Sequence, residues 1–88
     1  MTLQERFEEA QTRVKTLSKT PSNDALLELY GWYKQATAGD VQGKRPGMLD
    51  LKGRAKYDAW ASRKGASRDR AMESYVQVVD RLIASERK

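Results

Sequence analysis

The stretch Tyr30-Gly31-Trp32-Tyr33-Lys34-Gln35-Ala36-Thr37-Ala38-Gly39-Asp40, followed by Arg45-Pro46-Gly47-Met48-Leu49-Asp50, decides how this chain is read. Its first half carries helix formers and aromatics and stops at a glycine. A glycine just past the last periodic residue can take the left-handed conformation that closes a helix. From Gly39 to Asp50 periodicity lapses, and three glycines and one proline appear instead. Pro46-Gly47 fits the central positions of a type II turn, so the segment reads as a long ordered loop between two helices. Such a loop is long enough to cross the end of a small bundle and let the helices on either side of it run parallel.

Helix signals continue outward in both directions. Thr2 and Glu5 have capping-box spacing, and Phe7, Ala10, Val14 and Leu17 recur at three- and four-residue intervals, which predicts helix one over residues 3 to 16. Thr20-Pro21 and Ser22-Asn23-Asp24 restart the chain into helix two, whose apolar side is read as Leu26, Leu29 or Tyr30, Tyr33 and Thr37. Leu51 to about Ser62 reads as helix three, with Leu51, Ala55 and Ala59 on one side, and Gly65 closes it. Ser67 caps helix four, where Ala71 or Met72, Tyr75, Val78 or Val79 and Leu82 line one side. Four helices with an apolar side each must bury those sides together, so the fold class is an all-α bundle.

Composition narrows the function. With 88 residues, 39% hydrophobic and 33% charged, the chain suits one domain too small for a deep interior. It has no cysteine and no histidine, which removes thiolate chemistry, the commonest metal ligands and the commonest general base at neutral pH. Carboxylates are scattered, and no glycine-rich phosphate loop or zinc spacing occurs. A catalyst or cofactor enzyme is therefore a poor expectation. The charged N-terminus lacks the apolar run of a signal peptide, so a soluble, unsecreted protein is expected. A net charge of +5 favours an anionic partner, whether nucleic acid, membrane surface or phosphorylated small molecule.

Individual residues leave two readings open. Tyr30 and Tyr33 share a helical face with Lys34 close by, a pairing that can stack on a base and neutralise a phosphate. Aromatics at helical spacing are more often core, with the lysine solvated. Lys52, Arg54 and Lys56 give helix three either a basic edge for an anion or a solvated face. Tyr57 fits either place, and Trp60 and Tyr75 read as core. Lys15 reads as one surface lysine among many.

The residues themselves resemble a known family. Tyr33-Lys34-Gln35-Ala36-Thr37-Ala38-Gly39-Asp40, Arg45-Pro46-Gly47-Met48-Leu49-Asp50, Gly53-Arg54-Ala55-Lys56-Tyr57-Asp58-Ala59-Trp60 and Lys64-Gly65 are similar in order and spacing to the signature of the acyl-CoA-binding protein family. The similarity runs from Phe7 to Leu82. It implies a four-helix up-down-down-up bundle that binds medium- to long-chain acyl-CoA esters and carries them in the cytoplasm as a monomer, with no catalysis, cofactor or nucleic acid. Membranes and acyl-CoA-using enzymes would be transient contacts.

By the same resemblance, Lys34 and Lys56 would pair with the CoA 3′-phosphate together with the Tyr30 hydroxyl, and Tyr33 would flank the adenine. Lys15 and Tyr75 match further ligand contacts, while Leu26, Leu27, Met48 and Leu49 would shield the acyl chain or pantetheine. The sequence departs from the family pattern at Gln11, Thr20, Leu51 and Tyr57, where alanine, lysine, phenylalanine and tryptophan are common, and Trp32 is larger than usual. The alternative reading is a small basic helical bundle that binds nucleic acid or another phosphorylated ligand.

Overall fold

A computed structural model describes residues 1–86. Its helices are α1 (Leu3–Arg13), α2 (Asn23–Ala38), α3 (Leu51–Ala61) and α4 (Arg68–Glu86), with a 3₁₀ turn over Val14–Thr16. Each start is fixed by a side-chain oxygen that accepts from an otherwise free amide. Thr2 accepts from the Glu5 amide while Glu5 accepts from the Thr2 amide, which completes a capping box. Ser22 caps α2, Asp50 caps α3, and the Ser67 hydroxyl accepts from the Arg70 amide at 3.1 Å. Gly39 ends α2 at φ +82°, a value L side chains rarely adopt.

Pairs of side chains fix the helix directions. Arg68 donates to Gln4 and Arg13 pairs with Asp80, so α1 and α4 run the same way. Arg81 pairs with Glu28 at one end of α2, while Gln35 donates to the Ala66 carbonyl at the other, so α2 opposes α4. Lys56 lies over Tyr30 and Lys34 over Trp60, so α3 runs with α2. The order is up, down, down, up, as the long connection between α2 and α3 implies.

The core joins Phe7 and Ala10 of α1, Leu29 and Ala36 of α2, and Ala71, Met72, Tyr75, Val76, Val78 and Val79 of α4. Full burial of a side chain of this kind contributes about 1.5–3 kcal/mol. The stripe read for α4 is therefore the core stripe. Two other expectations are corrected. In α2 the buried residues are Ala25, Leu29, Gly31, Gln35 and Ala36, whereas Leu26 and Tyr33 are 41% and 39% exposed. The aromatic side of α2 faces a groove, because α2 is packed on two other sides by α4 and α3. Helix α3 in turn packs on α2 alone, buries only Ala59, and leaves Leu51 75% exposed.

The loop expectation also changes in detail. Gly47 does not take the positive φ that a type II turn over Pro46-Gly47 requires. The turn lies two residues later, where the Asp50 amide donates to the Gly47 carbonyl at 3.0 Å and Met48-Leu49 occupy its corners. That register delivers Asp50 directly to its capping position on α3. The loop is tied down throughout: Tyr57 donates to the Gly43 carbonyl at 3.0 Å, and Arg45 makes a two-pronged pair with Asp58 at 2.9 and 2.6 Å.

Candidate functional site

Two cavities flank Leu26. One, of about 310 Å³, is walled by Val14, Pro21, Leu29, Tyr30, Tyr33 and Tyr75 between α2, α4 and the 3₁₀ turn. The other, of about 430 Å³, lies between α2 and α3 and is lined by Asn23, Leu27, Leu51, Lys52, Ala55 and Lys56. Leu26 lines both, since its side chain stands on the exposed ridge of α2 between them.

The first cavity is backed by an aromatic cluster. Phe7 meets Tyr75 edge-on with ring centroids 5.1 Å apart, and Tyr33 lies 6.1 Å from Phe7 and 6.4 Å from Tyr75. Offset and edge-to-face contacts at these distances fix ring orientation. Burial raises the Tyr75 phenol above its ordinary range, with the neighbouring Tyr33 adding to the effect. Tyr75 is thus a neutral donor that belongs both to the core and to the cavity wall. Tyr33, partly exposed, keeps some of its ring available for stacking.

Cations gather along the α2–α3 seam. Lys56 Nζ stands 5.4 Å from the Tyr30 ring centroid and Lys34 Nζ stands 4.8 Å from that of Trp60. Each helix contributes one lysine and one aromatic four residues apart, so the two contacts form successive rungs across the seam. Trp60, read as core, is half-buried and lies under a lysine. The reason is that α3 has only α2 behind it and cannot enclose so large a ring. The indole N–H donates to the Gly39 carbonyl at 2.7 Å.

Below the seam, buried Gln35 donates to the Asp40 carboxylate and to the Ala66 carbonyl, both at 2.9 Å, and the Gly65 amide donates to the same Asp40 oxygen. The Gly65 amide first, and then Gln35, hold the Asp40 carboxyl below its usual range. This clamp joins the end of α2, the long loop and the α3–α4 turn.

The structure therefore brings Leu26, Leu27, Tyr30, Tyr33, Lys52, Lys56 and Tyr75 to the two cavities and sets Lys34 on the adjoining seam. Met48 and Leu49, 79% and 100% exposed at the corners of the loop turn, line neither cavity. Lys15 is exposed beside Val14 and also lines neither. Leu51, Ala55, Leu29, Asn23, Pro21 and Val14 line cavities without having been read as site residues. Leu51 carried a usable signal, since a leucine opening a helix whose other apolar positions are mostly alanines has little core to enter. Among the described residues, no group of three or more acidic side chains is placed to hold a metal ion, and no helix is long and apolar enough to cross a membrane.

Known proteins share this fold. The model of a family described as Acyl CoA binding protein matches residues 4–79. An acyl-CoA-binding protein homolog of Manduca sexta is 50% identical over 86 residues, covering 97% of this chain and 96% of that protein. An acyl-CoA-binding protein of Brassica napus is 51% identical over 86 residues, covering 98% and 94%. The crystal structure of acyl-CoA-binding protein 2 from Oryza sativa superposes with a TM-score of 0.92 at 46% identity over 98% of this chain and 94% of that one. With the family model spanning most of its length, this chain belongs to the acyl-CoA-binding protein family.

Proposed function

We propose that the whole chain is one acyl-CoA-binding domain that takes up medium- to long-chain acyl-CoA esters with high affinity and carries and pools them without catalysis. The observation that carries this reading is the juxtaposition of two ring-supported ammonium groups, Lys34 and Lys56, with the apolar cavities on either side of Leu26. The CoA moiety bears about four negative charges near neutral pH. Lys34 and Lys56 meet its 3′-phosphate with the Tyr30 hydroxyl, the exposed face of Tyr33 stacks on the adenine, and Lys52, Lys15 and Tyr75 complete the polar contacts. Leu26 and Leu27 shield the acyl chain or pantetheine from the cavities, and the exposed Met48 and Leu49 add to that shield from the loop.

In this reading the protein is cytoplasmic and monomeric, exchanges ligand through transient contacts with membranes or acyl-CoA-using enzymes, and does not bind nucleic acid. Calorimetric titration with acyl-CoAs of increasing chain length tests it, with free CoA, free fatty acid and single-stranded DNA as controls. Tight one-to-one binding of palmitoyl-CoA is expected, strengthening by up to about 0.8 kcal/mol per methylene until the groove is filled. Tighter binding of DNA than of any acyl-CoA, or release of free CoA with turnover, would refute it.

A further inference from the structure

We propose that Trp60 is a positioning residue for the ligand phosphate, acting through Lys34; this rests on the head-group reading given above. A lysine reaches an anion through a four-carbon stem whose rotamer freedom is lost when it binds. Lys34 has part of that freedom already removed. Its ammonium sits 4.8 Å from the Trp60 centroid, and the indole cannot swing away because its N–H is bonded to the Gly39 carbonyl at 2.7 Å. Gly39 is itself fixed, since its amide closes α2 on Gln35 and the following Asp40 is clamped by Gln35 and Gly65.

A ring face attracts the ammonium without using a lone pair, so the N–H groups pointing away from the indole stay free for phosphate oxygens. Lys52, on the neighbouring cavity, has no such ring under it among the described residues. Of the two rungs on the seam, only the one at Trp60 has a ring locked by a backbone bond. Trp60 thereby sets where along the seam the phosphate is met.

The test compares palmitoyl-CoA with its 3′-dephospho analogue on the full chain, for the unaltered protein, Trp60→Leu, Trp60→Phe, Lys34→Met and the double variant W60L/K34M. Circular dichroism and urea unfolding identify any variant that does not fold, and Trp60→Phe, which keeps a ring face in the same space, serves as the conservative replacement. Because the ring holds Lys34 in the free chain as well, removing it is felt as lysine freedom that binding must then take away, a weakening of palmitoyl-CoA binding by roughly three- to fivefold in Trp60→Leu. The dephospho analogue is expected to bind Trp60→Leu and the unaltered protein alike, and Trp60→Phe is expected to recover part of the loss. In the Lys34→Met background the Trp60 substitution should cost nothing further.

Equal losses for the two ligands, an undiminished loss in the Lys34→Met background, or tighter binding by Trp60→Leu would overturn the assignment. If the unaltered chain bound neither ligand, the head-group reading would fall first and this inference with it.

Discussion

Replacing Gly31 by alanine sets two effects of opposite sign against each other. Gly31 is buried in the middle of α2, where alanine ordinarily stabilises a helix by about 0.5–1 kcal/mol. A Cβ built there falls 2.6 Å from the Ala59 carbonyl oxygen and 3.0 Å from its carbon, with Arg63 Cδ also at 3.0 Å. The arginine methylene can move, but the Ala59 carbonyl belongs to the backbone of α3. Relieving that contact means moving the helix, and overpacking of this kind costs typically about 1–3 kcal/mol. The backbone contact opposes the propensity gain and exceeds it over most of its range, leaving a net loss of up to about 2.5 kcal/mol.

Because α3 packs on α2 alone, the displacement is expected to fall on the seam more than on the core. The Lys56–Tyr30 and Lys34–Trp60 rungs would part, and the wall of the larger cavity would shift. Urea unfolding followed by far-ultraviolet circular dichroism gives the stability change, and palmitoyl-CoA titration gives the functional one. The expectation is a modest loss of stability with at least about a tenfold loss of affinity, since a misplaced phosphate contact forfeits a charge-assisted bond. A Gly31→Ala variant that gained stability and bound ligand unchanged would refute the helix approach on which the site is built.

Removing the seam lysine directly, Lys34→Ala should weaken palmitoyl-CoA binding by about 1.5–3 kcal/mol, the range for a hydrogen bond to a charged group, and calorimetry reads it; an unchanged affinity would remove Lys34 from the site. The Asp40 clamp predicts a pH dependence. Its carboxyl is lowered in the folded protein, so its contribution to stability is complete above the ordinary carboxylate range and is lost as pH falls through that range towards the folded value. Asp40→Asn should therefore melt below the unaltered protein at about pH 7, and the gap should narrow as pH falls below the ordinary carboxylate range. A gap that stayed constant with pH would show that the charged form is not what Gly65 and Gln35 hold.

Local signals made the helix boundaries legible. Thr2 with Glu5, Ser22 after Pro21, Gly39, and Ser67 after Gly65 each act within four residues, and each sits where its spacing places it. The α4 stripe was legible for a related reason, because its valines, Met72 and Tyr75 have one apolar face and one destination. Helix α2 was harder, since it has two apolar sides. Leu26, Tyr30 and Tyr33 make as regular a stripe as Ala25, Leu29, Trp32 and Ala36, and only the positions of α3 and α4 decide which is core. The turn at Gly47 was displaced by a competing demand: Asp50 had to cap α3, and a bond from its amide to Gly47 places it there. Tyr57, which departs from the family pattern, uses its hydroxyl on the Gly43 carbonyl, a partner set by the loop path and not by any nearby residue.

The candidate site inherits the same division. Its residues on α2 are held by a helix that the core fixes on the α4 side, whereas its residues on α3 are held by an element with no member in the core cluster. What holds α3 in place is a set of specific contacts: the close approach at Gly31, the Arg45–Asp58 pair, the Tyr57 and Trp60 bonds to the loop, and the two cation–ring rungs. None of these is a large apolar burial, and each lies within a few residues of a lysine or a cavity wall. A ligand spanning the seam would add contacts to both helices at once, and by linkage would stabilise the arrangement in which they are correctly spaced. The small residue at position 31 and the exposed leucine at position 51 thus serve one geometry, in which a helix is left free of the core so that it can form the second wall of a groove.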